Sequence, residues 1–106
     1  MKRLRFSRRS EMSLEDIGDW STENFGLVRA RHYTTELLSA CRRVASGIAR
    51  WRHCRDVFAP DLRSDLRFAG SGRHFIIFAE TPEEIVIVDF IHQYADIGGG
   101  LEGLDQ

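Results

Sequence analysis

Leu66-Arg67-Phe68-Ala69-Gly70-Ser71-Gly72-Arg73-His74-Phe75-Ile76-Ile77-Phe78, with Ile85-Val86-Ile87-Val88-Asp89-Phe90-Ile91-His92 close behind, is the stretch that decides the fold. It reads as an arginine-bearing strand over 64–69, a turn at Gly70-Ser71-Gly72, a strand over 74–80 and a further strand over 85–92. Pro82-Glu83-Glu84 makes the second turn, Pro and Gly being the residues that fix tight reversals. The apolar runs are nearly continuous instead of alternating. Strands of that kind are covered on both faces, here by helices on one side and a shield on the other.

Outward from this meander, residues 49–65 show no clear period, and Pro60 excludes a central strand nearby. Arg50-Trp51-Arg52-His53-Cys54-Arg55 is cationic and aromatic, with Trp51 either anchoring the loop or exposed for binding. Further upstream, Ala30, Tyr33, Leu37, Cys41, Val44 and Ile48 form the apolar stripe of a helix from about 27 to 46, closed by Gly47. An earlier helix, 8–24, carries Ser10, Leu14, Ile17, Ser21 and Phe25 on one face. Ser7 caps it by accepting a free backbone N–H of the first turn. Residues 2–6 alternate polar and apolar as a half-exposed strand does. Downstream, Gly98-Gly99-Gly100 ends regular structure. The expectation is one domain over 1–97, a flexible tail over 98–106, and an α+β fold: a helical hairpin packed on a small, mostly antiparallel sheet, in the order β-α-α-β-β-β.

A chain of 106 residues supports one modest core. No apolar stretch approaches the roughly 20 residues of a membrane span, and polar residues follow the basic N-terminus where a signal peptide needs an apolar core. A cytoplasmic protein without membrane contact is expected. Two cysteines, Cys41 and Cys54, read as free thiols in a reducing cytosol, and no Cys/His spacing suits zinc. The net charge of −1 conceals a division. Residues 1–73 hold all fifteen Lys and Arg and carry net +6, whereas 74–106 hold seven acids and no Lys or Arg. Such asymmetry suits partners of opposite sign, or two regions that neutralise each other in the fold.

Several short patterns fall in one order. They are Glu11-x-x-Leu14-Glu15-x-Ile17, Asn24-Phe25-Gly26, Ala30-x-x-Tyr33 with Leu37, Leu66-Arg67, Gly72-x-His74-x-Ile76-Ile77-Phe78, and Ile87-Val88 through His92 with Asp96. Together they resemble the ParE branch of the ParE/RelE toxin superfamily, over residues 3–97. The resemblance implies the toxin of a type II toxin–antitoxin pair, a non-enzymatic inhibitor of DNA gyrase that traps the cleaved-DNA complex. It also implies neutralisation by a ParD-like ribbon-helix-helix antitoxin, and neither a cofactor nor direct nucleic-acid binding. The alternative is a RelE-like, ribosome-dependent mRNA interferase. Many of those ribonucleases place an arginine just before the apolar core of the strand matching 74–80, and here that place holds Phe75. Glu80 and Asp89 add negative charge that opposes a polyanion. Arg63, Arg67, Arg73, His92 and Tyr94 are the residues from which a ribonuclease site would have to be built. Two departures stand out: the segment after His92, often basic in the family, reads Gln93-Tyr94-Ala95-Asp96, and Asp89 stands where a basic residue is frequent.

Candidate target contacts are Arg67, His92, Tyr94 and Asp96; candidate antitoxin contacts are Arg29, Arg31, Tyr33, Arg42, Arg43 and Trp51. Arg67 either meets the target or pairs with Glu80 or Asp89. His74 reads as a structural residue at the turn, and His92 as a hydrogen-bonding or titrating group. Ser39 and Ser46 lack a His/Asp partner for nucleophilic catalysis, and the Gly triplet lacks a phosphate-loop lysine.

Overall fold

The computed structural model describes residues 2–94. The chain begins with β1 (Arg3–Phe6), whose arginines face water while Leu4 and Phe6 turn inward. The Ser7 hydroxyl then caps α1 (Arg8–Phe25) by accepting the Ser10 N–H at 3.0 Å. Gly26, at φ +87°, makes the bend into α2 (Leu27–Ala45), and Gly47, at φ +79°, lies just past the end of that helix. A two-residue strand, β2 (Arg52–His53), leads directly into a single helical turn, α3 (Cys54–Val57). The meander follows as β3 (Arg67–Ser71), β4 (His74–Glu80) and β5 (Glu84–His92).

The sheet order is β1-β5-β4-β3-β2. β1 lies parallel to β5, with Arg3 opposite Glu84, and every other pairing is antiparallel. The fold is α+β, and its α-hairpin and meander follow the expected β-α-α-β-β-β order. The first strand of the meander starts and ends later than the sequence suggests. Gly70 and Ser71 pair with Phe75 and His74, so the reversal is made by Gly72-Arg73 alone, with Gly72 at φ +57°. Residues 95–97 of the expected domain and the expected tail over 98–106 lie outside the described residues.

Two apolar clusters sandwich the sheet. On the helical side, Leu37, Cys41 and Val44 of α2 meet Ile76, Phe78, Ile85, Ile87 and Phe90. On the opposite side, Cys54, Leu62 and Leu66 meet Phe68, Ile77 and Ile91, with Phe58 and Phe75 packed beside them. The shield is therefore the segment between α2 and β3. Cys54, Phe58, Leu62 and Leu66 recur every fourth residue, a spacing that Pro60 prevents from becoming one long helix. Ile48, expected on the α2 stripe, lies beyond the helix end and is 72% exposed. Phe25, expected on the inner face of α1, is also exposed, at the tip of the helical hairpin.

One irregularity positions α1. Ile77 pairs with Asp89 but Phe78 pairs with Ile87, so Val88 is an extra residue in β5. A bulge frees backbone groups that need partners. The Ser7 hydroxyl donates to the Val88 carbonyl at 2.8 Å, and the Asp89 carboxylate accepts from the Phe90 N–H at 2.8 Å. Asp89, only 5% exposed, also accepts from Arg9 at 2.9 Å and from the Ser13 hydroxyl. The first two turns of α1 are thus bound to the bulge by charge and hydrogen bonds.

Candidate functional site

A concavity lies where the tip of the helical hairpin meets the β3–β4 turn. It is a groove of about 830 Å³. α1 contributes Asp16, Ile17, Trp20, Ser21 and Phe25; α2 contributes Val28, Arg29, His32 and Tyr33; the sheet contributes Arg73, His74 and His92. Its apolar wall is unusually open to solvent: Val28 is 83% exposed, and Trp20 and Phe25 meet edge-on with ring centroids 5.6 Å apart. Exposed apolar groups gathered in one place mark binding surfaces more often than isolated ones do.

A hydrogen-bonded network holds the groove floor. The Tyr33 hydroxyl accepts the Arg73 backbone N–H at 2.9 Å and lies 2.6 Å from His74 Nδ1. Its own proton has no other acceptor among these contacts, so it is donated to Nδ1, which leaves the His74 proton on Nε2. His92 Nδ1 accepts the Tyr94 backbone N–H at 3.2 Å, which fixes the same tautomer for neutral His92. The two imidazoles meet edge-to-face with centroids 5.2 Å apart, and Tyr94 stacks obliquely on His92 at 5.5 Å. Gln93 ties the turn from behind, its amide donating to the Gly72 and His74 carbonyls. Burial, aided by the charge of His92, lowers the His74 pKa to about 4, so this ring stays neutral near neutral pH.

A second, shallower hollow sits at the β2 edge, bordered by Ala49, Arg50, Trp51, Arg52, Phe68, Ala69 and Gly70. The Arg67 guanidinium lies 4.2 Å over the Trp51 ring and donates to Glu80 at 3.2 Å, while Lys2 reaches Glu80 at 2.7 Å. The Lys2 hydrogen bond, with the charges of Lys2 and Arg67, holds the Glu80 carboxyl below its ordinary range. Trp51 is half-exposed and stacked against Arg67, so its ring is held by the fold with part of its surface in solvent.

The sequence-derived candidates divide between these places. His92 and Tyr94 stand at the groove end of the sheet, whereas Arg67 is four register steps away, about 13 Å along the strands. Asp96 lies outside the described residues. Of the candidate antitoxin contacts, Arg29 and Tyr33 line the groove, and Tyr33 is also structural. Arg31, Arg42 and Arg43 are exposed along α2, and Trp51 belongs to the other hollow. The supposed obstacle to anion binding is absent in the form expected. Glu80 is paired with Lys2 and Arg67, and Asp89 is buried against Arg9 and Ser13. The ribonuclease set is also dispersed: Arg63 pairs with Asp65 on the opposite face, and Arg67 is held by Glu80. Sequence reasoning passed over Trp20, Val28 and His32, although exposed apolar residues beside a helix-ending Gly were visible.

A family model described as the ParE toxin of the type II toxin–antitoxin system parDE matches residues 4–97. The chain belongs to the ParE toxin family. A chain of the chromosomal ParDE toxin–antitoxin system from P. aeruginosa is similar in fold, with a TM-score of 0.64 and 14% identity over 87% of this chain and 96% of the other. No curated protein matches the chain. Among the described residues of this ParE toxin, no helix is long and apolar enough to cross a membrane, and no cluster of three metal-ligating side chains occurs.

Proposed function

We propose that this ParE-family toxin acts in the cytoplasm as a non-enzymatic inhibitor of DNA gyrase, stabilising the cleaved-DNA complex, and that a ParD-like ribbon-helix-helix antitoxin neutralises it. Binding the cleaved state better than the religated one is all that such a poison needs. The observation that carries this reading is Phe75. Where ribonucleases of the superfamily place a cation, this chain packs an aromatic ring against Phe58 and Phe68, at centroid distances of 5.6 and 5.0 Å. That position stabilises the sheet and offers nothing to a scissile phosphate. The antitoxin is assigned to the groove and to the arginines of α2, with apolar side chains meeting Trp20 and Val28 and acids meeting Arg29 and Arg31. His92 and Tyr94 are the proposed target contacts, joined by Asp96; Arg67 serves the Trp51–Glu80 cluster first. His92 belongs to both assignments, so antitoxin and target compete for one end of the molecule. Purified protein is expected to inhibit supercoiling and to raise linear DNA after detergent denaturation of gyrase complexes. Untouched gyrase together with cleavage of ribosome-bound mRNA overturns this reading in favour of the interferase.

A further inference from the structure

The two imidazoles at the groove floor have one polar atom each to spare. Nδ1 of His74 is taken by Tyr33 and Nδ1 of His92 by the Tyr94 N–H. In both rings the remaining Nε2–H makes no hydrogen bond to another described residue, and neither Nε2 is among the buried polar atoms without a partner. Both rings line the groove, so these donors are open to whatever enters it. With ring centroids 5.2 Å apart, they are close enough for one two-oxygen acceptor to bridge at ordinary N–H···O distances of about 2.9 Å. Among the described residues, the Lys, Arg, Asp and Glu that line the groove with them are Arg29 and Arg73, set against one acid, Asp16.

We propose that His74 and His92 form a carboxylate-receiving site, which takes an Asp or Glu side chain carried by an otherwise apolar segment of the partner protein. The proposal rests on the reading that an antitoxin seats in this groove, and it names the chemistry that selects it. An anion fits better than a neutral amide because two imidazole N–H donors stand side by side in a groove where, among the described residues, two guanidinium groups outweigh one carboxylate. Apolar neighbours are required because Trp20, Phe25 and Val28 present hydrocarbon beside the donors. Tyr33 is a positioning residue: it holds His74 in the tautomer that donates toward the groove.

The test uses the full chain labelled with ¹⁵N-histidine and titrated with 4-phenylbutyrate or its amide, 4-phenylbutyramide. Saturable shifts at Nε2 of both His74 and His92 are expected with the acid, and about tenfold weaker binding with the amide. His92→Phe, which keeps the ring and removes the donor, should weaken the acid about tenfold and leave the amide nearly unchanged. His74→Phe is the second variant, with circular dichroism verifying the fold. Equal affinity for acid and amide, or an unaltered acid affinity in both folded variants, overturns the site. So does a shift of the unliganded imidazole signals when Asp96, Glu102 and Asp105 are replaced by their amides, since the chain's own acids are then the occupant. A parallel measurement uses the protein encoded by the adjoining small reading frame. One of its acids should cost about tenfold or more when amidated, and that cost should vanish against His92→Phe toxin. Failure of this protein to bind the wild-type toxin removes the antitoxin reading, while the phenylbutyrate titration decides the carboxylate site by itself.

Discussion

Gly72 carries two constraints at once. Its φ of +57° lies in the left-handed region, and a Cβ there would sit 2.8 Å from the Tyr33 ring. Gly72→Ala is therefore expected to cost about 1–3 kcal/mol and to displace the Tyr33 hydroxyl from His74, measured as a fall in denaturation midpoint with altered Tyr33 and His74 resonances. His74 makes a separate prediction. Its folded pKa of about 4 lies below the ordinary 6.5, so between those values the unfolded chain binds a proton that the folded chain refuses. Stability contributed by this group is complete above about pH 6.5 and is lost as pH falls toward 4, with no further loss below. Urea midpoints measured across that window should decline for the wild type and decline less for His74→Phe. The sequence placed His74 just after the turn, where β4 begins. It did not show that Tyr33, 41 positions earlier, holds the ring, because that contact exists only once α2 has packed on the sheet.

Among the elements, the helices were the most legible, since amphipathic spacing and capping residues act locally: Ser7 caps α1 and Gly47 follows α2 as read. The segment between α2 and β3 was not legible, because its order comes from the sheet face it covers. The Cys54–Phe58–Leu62–Leu66 spacing was the available signal. Asp89 offered a plainer one, as a lone acid inside a buried apolar run needs nearby partners. Its partners are Arg9, Ser13 and the bulged backbone of β5. Asp89→Ala should cost about 1–3 kcal/mol, since Arg9 remains half in water and is not stranded in the core. Asp89→Asn keeps some acceptor capacity and should cost less. Hydrogen exchange is expected to rise first in the opening turns of α1, and uniform protection in Asp89→Ala contradicts the assigned role.

At the scale of the whole molecule, the two cysteines report on the two cores. Cys41 belongs to the helical-side cluster and Cys54 to the opposite one, both fully buried. Burial pushes each thiol pKa up to about 12, so neither supplies thiolate at neutral pH. Both should resist a thiol reagent in the native state, and their separate rates under mild urea measure whether the two faces open together. The architecture could be inferred from the sequence because order and approximate strand positions suffice to define it. The groove could not, because three distant segments build it.

The placement of β5 has a consequence for how such a molecule comes into being. β1 leaves the ribosome first, yet its partner is a strand 81 positions later, and that same strand is the neighbour of β4 and the dock for α1. Closing so long a stretch of chain delays folding until the final strand is available. A nascent chain halted anywhere before Glu84 has no rung for Arg3, no bulge for Ser7 to bind and no His92 for the groove floor. Translation that stops early therefore yields a product without the completed sheet or groove, and the part of the fold that β5 organises exists only in a chain that has been carried past Glu84.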